Sequence, residues 1–584
     1  MTDLPQLLAE RLAPAFADVA DRADADGSNR AVDPVVRRSD HADYQANGAL
    51  GLAKRLRRNP REVAAEVLER ADLSGLVEKA EIAGPGFINL TLSDQALGTV
   101  VAQMSADARL AVPLAEEPDR VVIDYSAPNV AKEMHVGHLR STIIGDALVR
   151  VLEFLGHEVI RRNHLGDWGT PFGMLIEHLV DLGADEAAHE LEVGDLTAFY
   201  QDARKKFDGE EEFATRSRRR VVLLQAGDEE TLALWRLLVD ESKRYFETVY
   251  DRLDVRLTAE DYWGESAYND QLASVVEELT EKGLAVESEG ALVTFPAGFT
   301  GREGKPTPLI LRKSDGGFGY DVTDLAAIRH RARDLAGTRL VYVTDLGQRV
   351  HFEMIFRTAQ EAGWLTEEQT AEFDGFGVVL GPDRKRLKTR SGDSPKLIEL
   401  LDEAVRRADA VIEEKAPHLS GAEREAVARA VGIGAVKYAD LSGDRVKDYV
   451  FDYDQMLSFE GNTAPYLQYA HARINSVFRK GEIDPAKVRG SRLRLEHPAE
   501  HQLALLLGEF EGAVVSAAET VQMHRIAGYL YDLATAFTAF YEKCPVLRAE
   551  DEEIRTSRLA LCEITARVLS TGLGLLGITA PARM

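Results

Sequence analysis

The chain has 584 residues, too many for one core when domains usually run about 100–200 residues, so roughly three to five units are expected. Its 45% hydrophobic and 29% charged content excludes a disordered or fibrous protein, and two cysteines exclude a disulfide framework or a four-thiolate zinc site. The formal charge of −27 does not exclude a nucleic-acid partner, because phosphate binding follows local potential rather than the sum over the surface.

Leu4, Leu8, Leu12, Phe16 and Val19 recur at near-helical spacing and predict an amphipathic opening helix. The first residues carry early acids and no apolar core of signal-peptide length, which argues against export. No stretch reaches the roughly 18 apolar residues of a membrane span, so a cytoplasmic protein in a reducing compartment is expected. Gly84-Pro85-Gly86 reads as a turn, and Phe87 to Leu92 alternates like a half-buried strand. Pro113 to Pro118, with Glu116 and Glu117 between, reads as a linker closing a first domain near residue 115.

Val121 to Tyr125 then predicts a short buried strand, Val136 to Leu155 a helix, and His157 to Arg161 a second strand before the turn Gly166-Asp167-Trp168-Gly169. Strand, helix and strand in so short a space make a βαβ unit, which requires a parallel sheet. Residues from about 185 to 300 are more charged and mostly helical, like an insertion between two halves of that sheet. Strand-like segments return at Leu309 to Leu311, Leu340 to Val343 and Gly377 to Leu380, and helical periodicity dominates from about 395 onward. Three basic runs, at Arg216 to Arg220, Arg479-Lys480 and Lys487 to Arg494, read individually as solvated faces.

The stretch Pro128-Asn129-Val130-Ala131-Lys132-Glu133-Met134-His135-Val136-Gly137-His138 lies between the first strand and its helix. In open parallel sheets that is the carboxyl edge where nucleotides bind. Two histidines three apart at a helix start can point the same way, beside the positive end of the dipole, and donate to phosphate oxygens as charge develops. Gly137 leaves room for a purine or ribose. A second stretch, Lys385-Arg386-Leu387-Lys388-Thr389-Arg390-Ser391-Gly392, follows a strand and the Gly381-Pro382-Asp383 turn. A basic loop ending in glycine suits closure over a triphosphate as pyrophosphate leaves.

Together these stretches resemble the HIGH and KMSKS signatures of class I aminoacyl-tRNA synthetases. The longer matches are similar to the arginine-specific members of that family. They run from Ser126-Ala127-Pro128-Asn129 through Gly145, with His164 to Gly169, Tyr320 to Leu325, Gly377 to Gly392, Met456 to Arg473 and Leu575 to Met584. The second signature departs from the class I pattern, having Leu387-Lys388-Thr389-Arg390-Ser391, and Asp374 stands where relatives often carry histidine.

The resemblance implies a multidomain fold: a class I Rossmann-type parallel-sheet catalytic domain, an N-terminal α+β domain, and an all-α C-terminal anticodon-binding domain. Expected boundaries are 1–115 for tRNA D-loop recognition, 116–395 for catalysis with the insertion at about 185–300, 396–455 for a helical stem-contact linker, and 456–584 for anticodon binding. It implies ATP-dependent ligation of L-arginine to tRNA(Arg) through an arginyl-adenylate, with ATP entering as its Mg2+ complex and no permanently bound metal or organic cofactor. A monomer without obligate protein partner or membrane is expected.

The implied catalytic residues are His135, His138, Lys132, Lys388 and Arg390. ATP would meet His135, Gly137, His138, Lys132, Val379 and Lys388, with Lys132 supplying the positive charge the altered second signature lacks. Arginine would be held by Asp124, Ser126, Asn129, His138, Tyr320, Asp324 and Gln348. Physically, a guanidinium with five donors needs carboxylates and neutral acceptors, and Tyr320 and Asp324, four apart, share a helix face. A substrate lacking the guanidinium would leave buried carboxylates unpaired, a rejection of roughly 10⁴–10⁵ that makes editing unnecessary.

Asn89 matches a D-loop contact in relatives, and Met584 falls in the matched terminus. Tyr466, Tyr469 and Arg473 lie at i, i+3 and i+7, a stripe able to stack on unpaired bases. Two other readings compete. A small-molecule nucleotidyltransferase would not need the tyrosine-bearing C-terminal helices, and a tRNA-binding paralogue without activation would be expected to lack His135, His138 or Asp324.

Overall fold

Val121, Val122 and Ile123 are apolar toward both faces, which suits a strand covered by helices on both sides. In the computed structural model, which describes residues 3–21, 32–183, 196–301, 304–314, 316–388, 395–549 and 551–584, that strand is Arg120–Asp124. It pairs in parallel with Glu158–Arg162 on one side and Arg339–Asp345 on the other, and Thr370–Phe376 adds in parallel beyond Arg339–Asp345. The sheet order is therefore 370–376, 339–345, 120–124, 158–162.

Arg120–Asp124 crosses through the helix Val136–Phe154 to Glu158–Arg162, and Arg339–Asp345 crosses the opposite way through Arg349–Glu361 to Thr370–Phe376. The connections that leave the two inner strands run to opposite sides of the sheet, which makes their carboxyl ends the switch point at which open α/β sheets bind ligands. Val136–Phe154 is buried almost all round; at Gly145 an added Cβ would collide with the Tyr125 ring, so only glycine lets helix and strand approach this closely.

Two of the strand-like segments form strands outside the parallel sheet. Leu309–Arg312 lies outside the parallel sheet, in an antiparallel three-stranded sheet with Ala285–Ser288 and Ala291–Thr294. Its alternating buried and exposed residues suit a one-sided sheet. The fourth parallel strand is Thr370–Phe376 rather than Gly377–Leu380, of which Val379–Leu380 pairs separately with Tyr449–Val450. Glu372 and Asp374 make that strand look polar, yet it is an edge strand whose acids are answered by Arg339, at 2.9 Å from Glu372, and by Arg445. Within the insertion the helices are Leu196–Gly209, Glu211–Gln225, Glu229–Leu253 and Asn269–Glu281.

These elements form one compact unit, residues 115–457 with 575–578; a second comprises residues up to 114, 458–574 and 579–584. In the second, an antiparallel sheet runs Val36–Arg38, Tyr44–Ala46, Phe87–Leu92, Val77–Ala83. The helix Leu4–Asp21 buries Leu4, Leu8, Leu12, Phe16 and Val19, the residues its spacing marked. Five longer helices complete the unit: Ala464–Gly481, Pro498–Leu507, Phe510–Thr520, His524–Lys543 and most of Glu552–Leu575. His501 joins the two parts, with Nδ1 2.7 Å from Asp94 and Nε2 3.1 Å from Asp43. Among the described residues no helix is long and apolar enough to cross a membrane.

Candidate active site

After Arg120–Asp124 the chain makes an unusual turn: Ser126 (φ 72°), Ala127 (φ 47°) and Ala131 (φ 58°) all adopt the left-handed conformation. Non-glycine residues held there carry about 1–3 kcal/mol of strain each and persist only where surroundings over-determine them. The first two are pinned directly: the Ser126 amide donates to Ser141 Oγ at 2.9 Å and the Ala127 amide to Asn163 Oδ1 at 3.0 Å. Asn129 bridges to Gly166, zipping the first signature to the Gly166-Asp167-Trp168-Gly169 turn.

His135 caps the helix, and a reciprocal pair of bonds fixes both imidazoles. The Gly137 amide donates to His135 Nδ1 at 3.0 Å, while the His135 amide donates to His138 Nδ1 at 3.1 Å. Each Nδ1 is thus an acceptor, so each neutral ring carries its proton on Nε2 as a free donor. Burial and then the nearby Lys132 charge lower the His135 pKa, and burial followed by His135 pushes His138 down to about 3. Both rings stay neutral at pH 7. Gly137 serves this cap: a Cβ there would stand 2.6 Å from His135 Cε1. The chain beyond the second signature returns here, with the Leu397 amide donating to the Met134 carbonyl at 2.9 Å and Lys396 pairing with Glu133 at 2.9 Å.

A cleft of about 470 Å³ opens between the two signatures. Of the expected ATP contacts, His135, Gly137, His138, Val379 and Lys388 line it, together with Gln348 from the arginine set. Lys132 does not; its ammonium lies 4.2 Å from the Tyr200 ring centroid. Arg390 lies outside the described residues. Arg386 of the basic stretch lines the cleft as well; the sequence reading missed Asp345 and Phe376, which also line it, and Arg140, whose buried guanidinium pairs with Asp440 at 3.1 Å. Asp374 is buried against Arg445 rather than placed on the cleft wall; burial raises its pKa to about 7 despite that guanidinium.

Tyr320 and Asp324 lie on the first turns of the helix Tyr320–Arg333 and meet His351 from Arg349–Glu361. His351 Nε2 is 2.6 Å from Asp324, and the Tyr320 ring centroid is 5.4 Å from that of His351, with Tyr320 71% exposed. Glu265, which the sequence reading also missed, adds a further acid: burial first, then the charges of Asp324 and Asp167, push its pKa up to about 8. Acids under such mutual repulsion favour an incoming cation.

Asp124 already has a guanidinium: Arg331 Nη2, on a side chain 1% exposed, stands 2.8 Å from its carboxylate, and Arg331 Cζ lies 4.9 Å from the Tyr342 ring centroid. Ser126 is buried with its hydroxyl engaged internally, whereas Asn129 and Gln348 are exposed. The structure thus brings Tyr320 and Asp324 together through His351 and sets Asp124 in a separate, occupied pairing.

In the second unit, Asn89 sits on the half-buried face of its strand, accepting from Gln45 Nε2 at 2.7 Å. Tyr466 packs on Tyr531 at 5.8 Å, Tyr469 is 45% exposed beside Phe459 at 6.2 Å, and Arg473 lies 4.3 Å over the Tyr541 ring. The stripe therefore carries a second row of aromatics that spacing along one helix does not reveal. The terminal segment ending at Met584 is tethered by His471, 3.0 Å from the Pro581 carbonyl, and by Arg479, 2.9 Å from that of Ala582.

Three family models match the chain: tRNA synthetases class I (R), catalytic domain, over residues 99–453; the DALR anticodon binding domain over 467–584; and the arginyl tRNA synthetase N terminal domain over 3–92. An arginine–tRNA ligase of Thermobifida fusca is 57% identical across 95% of this chain and 96% of its own. One from Shigella dysenteriae is 50% identical across 96% and 97%. Among solved structures, arginyl-tRNA synthetase from Plasmodium falciparum superposes with a TM-score of 0.84 at 31% identity, covering 99% of both chains. That of Thermus thermophilus gives 0.80 at 27%, covering 99% of this chain and 100% of that one.

Proposed function

Because the chain belongs to the arginyl-tRNA synthetases of class I, which ligate L-arginine to transfer RNA with ATP through an arginyl-adenylate, we propose the following roles for its residues. The observation that carries them is the paired cap of His135 and His138, whose two Nε2–H donors sit on a cleft shared with Lys388 at the switch point of the sheet. Mg-ATP lies in that cleft. The arginine carboxylate attacks the α-phosphate, His135, His138, Lys132, Lys388 and Arg390 bear the developing charge, and pyrophosphate leaves. The ribose hydroxyl at the tRNA's end then attacks the activated carbonyl, and no protein nucleophile is needed. Preorganised neutral donors suit this chemistry, since they need no reorganisation as charge builds.

The guanidinium enters between Asp324, Tyr320 and Glu265, displacing His351 from Asp324, with Gln348 alongside. The turn carrying Ser126 and Asn129 addresses the α-end, and Asp124 acts through its pairing with Arg331. Asn89 and the N-terminal domain (1–115) read the D-loop, 396–455 contacts the stem, and Tyr466, Tyr469, Arg473 and Met584 in 456–584 read the anticodon side. The protein works as a cytoplasmic monomer. Aminoacylation of total tRNA with each radiolabelled amino acid tests this reading: arginine alone is incorporated, and incorporation of another amino acid, or of none, refutes it.

A further inference from the structure

The left-handed turn at Ser126 and Ala131 is supported from outside the parallel sheet. The insertion helix Glu229–Leu253 places Trp235, Ser242 and Tyr250 within an arc of about 80°, since at about 100° per residue a spacing of seven turns back by about 20° and one of eight advances by about 80°. Each meets a different point of the nucleotide-side loops. Trp235 Nε1 donates to the Asp167 carbonyl at 2.7 Å, the Ala131 amide donates to Ser242 Oγ at 2.9 Å, and the Tyr250 hydroxyl lies 2.7 Å from Ser126 Oγ. Asn163 Nδ2 also donates to the Tyr250 oxygen at 2.8 Å. Thr142 carries the chain onward, 2.9 Å from Ser126 Oγ and 2.8 Å from the His138 carbonyl.

We propose that Glu229–Leu253 is a splint in which Tyr250 and Ser242 are positioning residues, setting separately the amino-acid half and the ATP half of the signature loop. The splint is anchored at its far end, where the Asp254 carbonyl accepts from Arg150 at 2.8 Å and Lys437 at 3.2 Å. Tyr250 and Ser242 are both buried, and neither lines the nucleotide cleft. Tyr250 governs Ser126 and so the α-end of arginine; Ser242 governs Ala131 and so the approach of Lys132 to ATP. This rests on the residue roles proposed above.

Tyr250→Phe and Ser242→Ala each delete one hydroxyl at constant shape, and steady-state arginylation is measured with arginine and ATP varied in turn. Losing one hydrogen bond predicts a rise of about three- to tenfold in the arginine KM of Tyr250→Phe with its ATP KM within about twofold. Ser242→Ala gives the reverse split. A merely structural role lowers thermal stability and the active fraction while leaving both KM values in place. Parallel changes in both constants, or none, overturn the proposal. Wild-type protein measured alongside separates the two readings: if it fails to charge tRNA with arginine, the functional assignment falls and the splint with it.

Discussion

His351 Nε2 lies 2.6 Å from Asp324 Oδ2, so the carboxylate proposed to receive the substrate guanidinium also faces a protein imidazole. Burial alone would lower the His351 pKa, but its bond to Asp324 and the charges of Asp324 and Asp321 outweigh it and raise the value. Protonated His351 therefore competes with arginine. Glu265, raised to about 8, must ionise to join the pocket. Both effects have one sign: arginine KM falls as pH climbs from about 6.5 toward 8, with ATP KM comparatively flat. His351→Gln removes the share of that dependence that its imidazole contributes. An arginine KM independent of pH in wild-type protein contradicts the arrangement.

Asp324→Ala raises the arginine KM strongly, since truncating one partner of a buried charge pair costs about 2–5 kcal/mol. Isothermal titration with arginine checks it. Binding within about twofold of the parent would make Asp324 a surface acid paired only with His351.

His138→Ala lowers turnover by roughly 10²–10³ with little change in fold, the loss typical of one transition-state donor. Rapid-quench measurement of adenylate formation reads the step directly. Full arginylation by the variant would remove His138 from catalysis.

Asp124→Asn destabilises the protein before it impairs chemistry. It leaves the Arg331 guanidinium, at 1% side-chain exposure, without its carboxylate, and removing one partner of a buried pair costs about 3–5 kcal/mol. Denaturant unfolding followed in the catalytic unit should show a lowered midpoint, and Arg331→Met with Asp124→Asn should recover much of it. An unchanged midpoint in the single variant would mean that the pairing does not support the sheet edge.

His501 is raised to about 9, first by its hydrogen bond to Asp43 against the opposing effect of burial, then by Asp94. A folded-state pKa above the unfolded value of roughly 6.5 means that its stabilisation is complete below that pH and disappears as pH rises through about 9. The melting temperature of the parent should fall over that window more steeply than that of His501→Gln. Parallel curves would show that the pair of aspartates does not hold a charged ring.

ATP–pyrophosphate exchange is negligible until cognate tRNA is added, as the family resemblance implies. The altered second signature supplies a physical motive, since it lacks the usual lysine pair, and bound tRNA would raise the population of a competent enzyme. Periodate-treated tRNA separates ordering from turnover. Robust exchange in RNA-free protein would overturn the expectation.

The first signature was legible because its information is local: a buried strand, a loop and a histidine cap follow one another in the chain. The same holds for the opening helix, whose five spaced apolar residues are the ones buried. Glu265 was not legible, since it sits in a polar stretch of the insertion and acquires meaning only where folding brings it near Asp324. Arg331 reads as an ordinary charge near a helix end until Asp124 and Tyr342 arrive from two strands. The edge strand Thr370–Phe376 was passed over for the more apolar Gly377 to Leu380 because Glu372 and Asp374 disguise it, their partners lying on other elements. Periodicity reports burial along one element; it is silent about charges neutralised across two.

The second unit draws on both ends of the chain, and this sets an order on its making. The Leu4 amide bonds the Gly508 carbonyl at 3.3 Å, and Arg567 reaches back to the carbonyls of Ser105 at 2.7 Å and Asp107 at 2.6 Å. Residues up to 114 leave the ribosome first and must wait through synthesis of the entire parallel-sheet unit before the helices that complete them exist. Such distant pairings form late and slowly, so the N-terminal backbone groups that meet Gly508 and Arg567 stay without those partners during elongation. A premature stop ahead of Arg567 would accordingly remove contacts made near the beginning of the protein.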